Sequence, residues 1–375
     1  MINKEGKIKQ SSIFEKEVEE EKNDEVIRID KPYDPKLVDI SPQTLTIINI
    51  IRRLKEDAID LSPNFQRKAD LWNSQKQSLL IESILIRIPL PAFYFYGGNN
   101  DKWQVIDGLQ RLSVFRNFIV LQTLKLTGLE YLNQFEGCFF KDLPDHYQRQ
   151  IEETNIMAYI MKSGTSDVKY NIFKRINTGG IILNSQEIRN ALNQGTPADF
   201  VAELASIDIF KQVTKLSDQR MQDREFITRF ITFYLNNPEE YKPDLDTFMS
   251  NSMGKLNDLS QQEFDIIRGN FTTSMFLAKI IFDKWAFRKV YDKKAKKLYP
   301  INKALFEVWS ILLSKLSDSE RQKILTKKEE IFNDYIKLIN EDADFVGAIT
   351  SQTDNKNKII YRFSTIEKLL KNRLL

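Results

Sequence analysis

The sequence predicts an α+β lobe followed by a mainly α-helical lobe, and three observations support that prediction. First, helical and extended patterns alternate from about residue 44 to residue 190. Second, an aromatic run at residues 92–96 and a returning segment at residues 102–106 flank a Gly-Gly-Asn-Asn-Asp turn, which predicts a β-hairpin. Third, strand signals fade beyond residue 197. We therefore expect a domain boundary near residue 195.

Residues 1–40 have little apolar periodicity and contain two prolines, so we expect an N-terminal arm there. The next domain is expected at residues 41–195. Its elements are, in order, a helix over 44–56, an extended piece at 59–61, a helix over 74–87, the hairpin, a helix after 107, a strand over 155–161, a helix over 166–176 and a short helix ending at 192. Asn184 and Glu187 form a capping-box pattern that opens the last of these helices. The helical domain is expected at residues 196–375, with helices over 224–235, 262–282, 301–315 and 319–338.

Composition excludes several classes of function. The chain has 375 residues, of which 42% are hydrophobic, so it can bury a core. It contains one histidine, His146, and one cysteine, Cys138, so it cannot assemble a Cys/His zinc cluster or an internal disulfide. Triads that depend on histidine and HNH-type nuclease chemistry are disfavoured for the same reason. The charged N-terminus and the absence of a long apolar run lead us to expect a soluble, cytoplasmic protein with no membrane partner.

The sharpest motif is Asp107-Gly108-Leu109-Gln110-Arg111, at a predicted strand-to-helix turn. Free backbone N–H groups and the positive helix end attract anions there, and Gly108 lets a phosphate approach the main chain. Arg111 is suited to a two-donor phosphate contact, and Asp107 is suited to hold a divalent metal or to orient a water. A structural interpretation also fits, in which Asp107 caps the helix, Gly108 turns the chain and Arg111 pairs with a surface acid.

Two further polar sets flank this turn along the chain. The first is Phe65-Gln66-Arg67, with Trp72 shortly after it, and aromatic residues of this kind usually belong to a core. The other runs from residue 173 to residue 190 and contains Arg175 and Asn177. Helix stops and caps account for much of this last set.

In this order, the three sets resemble the N-terminal domain family of GmrSD-type modification-dependent restriction systems, which has a ParB/sulfiredoxin-like fold. The resemblance covers roughly residues 40–235. It implies a mixed-sheet N-terminal lobe, and it implies nucleotide binding and hydrolysis at the Asp107 loop with a nucleoside triphosphate and Mg²⁺. The implied catalytic residues are Asp107, Gln110 and Arg111, with Asp107 also the metal ligand, and the implied nucleotide-binding residues are Gln66, Arg67, Gly108, Arg175 and Asn177.

The sequence departs from that family in two respects. Leu109 stands where the family motif has its first glutamine, and a leucine cannot hydrogen-bond a base, a ribose or a water. Related fused proteins carry a C-terminal HNH-like nuclease module, whereas residues 196–375 contain no histidine. DNA cleavage by that chemistry is therefore expected from a separate nuclease subunit.

Charge is distributed unevenly although the net charge is only +3. Residues 15–25 are mainly Glu and Asp, and a basic segment at residues 288–297 is interleaved with the aromatic residues Trp285, Phe287 and Tyr291. Both charged stretches can be explained as a solvated surface or a mobile arm. The basic segment can also be explained as a nucleic-acid contact. The predicted nucleic-acid-binding residues are Arg288, Lys289, Lys293, Lys294, Lys296 and Lys297.

These observations lead to one expected function and two alternatives. The chain is expected to be a nucleotide-binding, NTP-hydrolysing regulatory or sensing subunit of a modification-dependent, anti-phage restriction system. DNA is its expected partner, and the sequence is compatible with self-association. The first alternative is a non-catalytic module of the same fold that binds DNA or protein. The second is a DNA nuclease that uses the Asp107 turn directly.

Overall fold

The computed structural model describes residues 17–19, 39–60, 72–97, 102–163, 172 and 184–374. The chain divides into two compact units. One consists of residues 32–183 and is called the sheet unit below. The other, called the helical unit, consists of residues 1–31 together with residues 184–375.

The sheet unit contains a five-stranded mixed sheet with the strand order β1-β5-β3-β4-β2. The pairs β2/β4 and β3/β5 are parallel, and the pairs β1/β5 and β3/β4 are antiparallel. Its elements are β1 (Asp39–Thr46), α1 (Ile47–Lys55), β2 (Ile59–Asp60), α2 (Ser74–Leu85), β3 (Phe93–Tyr96), β4 (Trp103–Asp107), α3 (Leu109–Phe115), α4 (Asp145–Glu153) and β5 (Asn155–Ser163). The predicted hairpin strands and the helix after Asp107 are confirmed, whereas the predicted helix over 166–176 lies largely outside the described residues.

The first strand is a departure from the sequence prediction. Residues 39–46 form β1, which pairs with β5 along its length, so the helix predicted from residue 44 begins at Ile47 instead. Thr46 ends the strand and starts the helix, because its backbone N–H donates over 3.0 Å to Oδ1 of Asn49. Pro42 lies in this strand without disrupting it, since β1 is at the edge of the sheet.

One face of the sheet forms the core of this unit. The alternation of buried and half-buried residues along β3 turns Phe93 and Phe95 to that face, where they meet Trp103 and Val105 of β4. Apolar residues of α1, α2 and α3 belong to the same buried cluster. The helices therefore cover one face of the sheet and leave the opposite face to be lined by the intervening residues of each strand.

A buried carboxylate fixes the loop between the end of α3 and α4. Glu82 on α2 is 2% exposed, and it accepts hydrogen bonds from the backbone N–H groups of Glu130, Tyr131 and Leu132 over 2.8–3.0 Å. Burial raises the pKa of Glu82, but the three backbone donors lower it by more, so the net shift is downward.

The helical unit contains ten α-helices within the described part of the chain. They are α5 (Ser185–Leu192), α6 (Thr196–Ser206), α7 (Asp208–Thr214), α8 (Gln222–Leu235), α9 (Leu245–Lys255), α10 (Gln261–Phe282), α11 (Lys303–Ser314), α12 (Asp318–Glu341), α13 (Ala343–Thr350) and α14 (Lys356–Leu374). The α+β class and the helical second part are confirmed. The four helices predicted in this part appear as α8, α10, α11 and α12.

The core of the helical unit includes a charged group. Glu307 on α11 is 0% exposed, and its two carboxylate oxygens accept hydrogen bonds from Arg229 on α8 and Arg362 on α14. A buried carboxylate between two guanidinium groups keeps its charge compensated. The triad thereby fixes the relative placement of three helices within this unit.

No helix among the residues that the structure describes is long and apolar enough to cross a membrane.

Glu82→Gln is expected to destabilise the chain by roughly 2 kcal/mol at pH 7, the scale of hydrogen bonds to a charged group. Because the folded pKa of Glu82 is depressed, its contribution is complete above the unfolded pKa of about 4.3 and is lost as the pH falls through the folded pKa. The difference in unfolding free energy between wild type and variant should therefore shrink below about pH 4. Urea unfolding at a series of pH values measures this. Glu153→Gln, at an exposed position on α4, is the control and should change stability little at any pH.

Candidate functional site

Asp107 is the last residue of β4, and a β-bulge determines which residue of β3 lies opposite it. Phe95 on β3 lies opposite Val105 on β4. The preceding residue of β3, Tyr94, lies opposite Asp107, so one step along β3 spans two steps along β4. In a regular strand Val105 and Asp107 would share a face. The extra residue, Ile106, changes that relation and brings Asp107 into register with Tyr94.

Gly108 turns the chain from β4 into α3. Its φ of 104° lies in the left-handed region, which residues with a side chain rarely adopt. A Cβ atom at this position would lie 2.4 Å from Cδ1 of Phe93, whose side chain is fully buried. The turn therefore requires glycine for its backbone conformation and for the close approach of the phenylalanine ring.

The guanidinium group of Arg111 is buried beside Asp107. Its Nη2 donates over 3.0 Å to Oδ2 of Asp107 and over 3.1 Å to the carbonyl oxygen of Ala92. Its Nη1 donates to the carbonyl oxygen of Pro91. The guanidinium carbon lies 4.2 Å from the ring centroid of Phe93, a cation–π contact. Burial lowers the pKa of Arg111, and the Asp107 carboxylate opposes that shift.

These contacts combine parts of both interpretations of the motif. Gly108 turns the chain, but Arg111 pairs with Asp107 and not with a surface acid. Because its donors are engaged inside the sheet unit, the arrangement favours a positioning role for Arg111 over the expected phosphate contact. Leu109 is half-buried and packs against the core, while Gln110 is half-buried on the first turn of α3.

Asp107 has the chemistry of a magnesium ligand. The carboxylate oxygens suit a hard cation, and 23% of the side chain is exposed. Across the described ranges, no group of three or more His, Cys, Asp or Glu side chains gathers as a metal site. Mg²⁺ commonly binds through one or two carboxylates together with substrate phosphates and water, and a site of that kind fits a single aspartate.

Two stacked tyrosines lie in the same cross-strand row as Asp107. Tyr94 is in register with Tyr159 of β5 as well as with Asp107, so the three residues form a row across three strands. The two rings have centroids 5.0 Å apart and planes inclined by 14°, and both are half-buried. The sequence analysis missed this pair. The signal was the Phe-Tyr-Phe-Tyr alternation of β3, which directs the two phenylalanines to one face and the two tyrosines to the other.

Several residues of the other two sets are not brought into this site by the described structure. Four predicted nucleotide-binding residues lie outside the described residues, namely Gln66, Arg67, Arg175 and Asn177. Trp72 packs against the core of the sheet unit, and Nζ of Lys76 lies 4.5 Å from its ring centroid. This packing accounts for Trp72 without a ligand.

The last part of the third set lies in the helical unit. The backbone N–H of Asn184 donates over 2.9 Å to Oε2 of Glu187, and the N–H of Glu187 donates over 2.8 Å to Oδ1 of Asn184, which confirms the capping box. Nη2 of Arg220 lies 3.0 Å from Oε2 of Glu187. Arg189 is buried and donates to Asp246 on α9. These contacts are all consistent with a structural role for α5.

Two lysines of the basic segment are held by carboxylates of the same chain. Nζ of Lys289 lies 2.6 Å from Oε1 of Glu19, and Nζ of Lys293 lies 2.9 Å from Oε2 of Glu329. Their charges are therefore partly neutralised in the folded chain.

The other members of the basic segment differ in exposure. Arg288 is half-buried and donates from Nη1 to the carbonyl oxygen of Tyr299 over 2.5 Å. Burial lowers the pKa of Arg288, and the carboxylate of Glu17 opposes that shift. The three remaining cations are exposed, and they are Lys294, Lys296 and Lys297.

Gly108→Ala is expected to destabilise the chain by at least about 2 kcal/mol, because it combines a left-handed backbone with a clash against a packed ring. Gly269→Ala is the matched control, since Gly269 lies in α10 with no atom within 4 Å of the added Cβ. That change should stabilise by roughly 0.5–1 kcal/mol. Urea unfolding followed by circular dichroism measures both. Equal stability of Gly108→Ala and wild type would contradict the described turn.

Comparison with known proteins finds one family model that is similar to part of this chain. Residues 47–194 match the family model of the GmrSD restriction endonuclease, N-terminal domain. The match begins at the first residue of α1, includes the Asp107 turn and ends just after α5. No curated protein and no solved structure matches the chain. Residues 47–194 are therefore similar to the GmrSD N-terminal domain family, in agreement with the resemblance that the sequence motifs indicate.

Proposed function

We propose that this chain is a nucleotide-dependent subunit of a restriction system and that its nucleotide site lies at the turn from β4 to α3. The restriction role is supported by the family description. The nucleotide site is supported above all by the row of Tyr159, Tyr94 and Asp107 beside the turn at Gly108. The two tyrosines offer a flat aromatic surface for a base. The Asp107 carboxylate and the start of α3 offer groups for phosphates. The mixed sheet is consistent with the ParB/sulfiredoxin-like fold that the resemblance implies.

Each residue of the turn has a distinct proposed role. The backbone N–H groups after Gly108 meet phosphate oxygens, because the first N–H groups of a helix have no acceptor within it. Asp107 orients the attacking water or binds Mg²⁺, which neutralises phosphate charge when it is bound. Gln110 orients the phosphoryl group. Arg111 is a positioning residue that holds the Asp107 carboxylate.

Hydrolysis at this site would be a phosphoryl transfer to water. Water forms a bond to the terminal phosphorus, the bond to the bridging oxygen breaks, and inorganic phosphate and a nucleoside diphosphate leave. Catalysis of this kind depends mainly on position and charge, so a fixed carboxylate and fixed N–H donors are the groups that it needs.

Nucleotide binding without turnover is the second candidate function, and one observation favours it. Leu109, which replaces the motif glutamine, packs against the core of the sheet unit and has no group that could orient a water. Binding alone is sufficient for a regulatory subunit whose conformation changes on occupancy. Phosphate release distinguishes this function from hydrolysis.

DNA is the proposed macromolecular partner. The exposed lysines of the basic segment, at residues 294, 296 and 297, provide charge for a phosphate backbone. Cleavage by HNH chemistry is not proposed for residues 196–375, because they contain no histidine. A DNA nuclease that uses Asp107 directly is the remaining alternative, and cleavage by the purified chain alone would support it.

Asp107→Asn is expected to lower the rate of phosphate release by about 100-fold or more, the usual effect of removing a charged catalytic group. The measurement is phosphate release from ATP, GTP, CTP and UTP with Mg²⁺, in the presence and absence of DNA. Asp57→Asn is the control, since the Asp57 side chain is 84% exposed and pairs with Lys102. Loss of activity in both variants would contradict a specific role for Asp107, and absence of turnover in the wild type would select the binding function.

Tyr94→Leu is expected to weaken nucleotide affinity roughly tenfold, because one base-stacking contact contributes about 1–3 kcal/mol. Isothermal titration calorimetry with the nucleoside triphosphate and with the matching free nucleoside measures the effect, which should be similar for both ligands. Tyr131→Leu is the control, because Tyr131 lies in a loop of the same unit and is 70% exposed. If the wild type binds nucleotide and Tyr94→Leu binds it with the same affinity, the stacking role is contradicted. Nucleotide binding itself would not be contradicted by that result.

A further inference from the structure

A short acidic strand, Glu17-Val18-Glu19, is docked on the helical unit beside the basic segment. The N–H of Glu19 donates over 2.8 Å to the carbonyl oxygen of Ile301, and the N–H of Ile301 donates over 3.1 Å to the carbonyl oxygen of Glu17. Val18 thereby forms a parallel bridge with Ile301, which also forms an antiparallel bridge with Arg288. The acidic strand and Arg288, the first cation of the basic segment, therefore both pair with Ile301.

One apolar side chain anchors the acidic strand. Val18 is 9% exposed and belongs to the buried cluster of the helical unit. The residues on either side of it are glutamates, whose side chains have polar partners at the surface of the unit. The described docking therefore consists of one valine, one backbone bridge and two carboxylates.

Both carboxylates accept hydrogen bonds from donors that an external anion could also use. Oε1 of Glu19 lies 2.6 Å from Nζ of Lys289, and Oε2 accepts from Nδ2 of Asn302 over 3.1 Å. Oε1 of Glu17 accepts from the backbone N–H of Ser217 over 2.8 Å. A phosphate oxygen could accept hydrogen bonds from the same ammonium and amide groups that the carboxylates contact here.

The surrounding sequences carry equal and opposite charge. Residues 15–25 contain seven acidic and two basic residues, a net charge of −5. The basic segment contains six basic residues and one acidic residue, a net charge of +5. The contact between Glu19 and Lys289, which are 270 positions apart in sequence, joins these two regions. The two charged regions are therefore complementary in sign and meet at this ion pair.

We propose that the acidic strand is a built-in competitor of DNA for the basic segment, so that DNA must displace it to reach Lys289 and Arg288. The inference rests on the proposed DNA contact of the basic segment. DNA presents a dense row of phosphates that can also engage the exposed lysines nearby, whereas the acidic strand holds only a few donors. The intact chain therefore binds DNA more weakly than the basic segment would if it were uncovered.

Val18→Asp tests this competition, because a charge in the valine pocket expels the strand. Although the variant gains a negative charge, its affinity for a fluorescein-labelled 30-base-pair duplex should rise about tenfold at low salt. The slope of log affinity against log salt should steepen by about 2, since each added phosphate contact contributes about 0.9. Fluorescence anisotropy across a salt series measures both quantities, and circular dichroism checks folding.

Three further variants keep the outcome interpretable. Asn357→Asp adds the same charge at an exposed position on α14 and should slightly lower affinity. Lys289→Gln, combined with Val18→Asp, should remove much of the gain. Glu19→Gln keeps the valine anchor, so it replaces Val18→Asp if that variant fails to fold, and it should raise affinity several-fold.

The outcomes separate this inference from the DNA proposal. Higher affinity and a steeper salt slope in Val18→Asp support the competition. If the wild type binds DNA and Val18→Asp weakens binding as Asn357→Asp does, the competition is overturned while the DNA contact remains. If no variant shows salt-dependent binding, the DNA contact itself is overturned, and the competition with it.

Discussion

The interaction on which the candidate site depends is that of the Arg111 guanidinium group, because it connects the three elements that meet at the Asp107 turn. It belongs to α3, it donates to two carbonyl oxygens just before β3, and it donates to Asp107 at the end of β4. A buried cation among these acceptors fixes a strand start, a strand end and a helix start relative to one another. The carboxylate used in the proposed chemistry is therefore oriented before any ligand binds.

The two faces of the sheet have different roles. The phenylalanines of β3 lie on the core face, and the ring of Phe93 fills the space that a side chain at residue 108 would need. The tyrosines lie on the opposite face, and the backbone of Tyr94 is in register with Asp107 at the end of β4. Stability and proposed binding thus use alternate residues of the same short strand.

Local patterns in the sequence were sufficient to predict the local features. The hairpin, the glycine turn, the helix after Asp107 and the capping box at Asn184 each depend on residues close together in the chain. The strand β1 was missed because its partner, β5, lies more than 100 positions away, and helical spacing near residue 45 was the stronger local signal. The bulge and the pairing of Glu19 with Lys289 likewise depend on tertiary contacts, so neither has a local pattern.

The position of β1 has a consequence for the behaviour of the chain in solution. An eight-residue strand at the edge of a sheet offers unpaired backbone groups to any other chain, and such edges promote aggregation. Here Pro42 removes one N–H from the edge strand, and an irregularity between Asp39 and Ile40 interrupts the register at its start. Pro42 and this irregularity therefore discourage intermolecular strand pairing along β1.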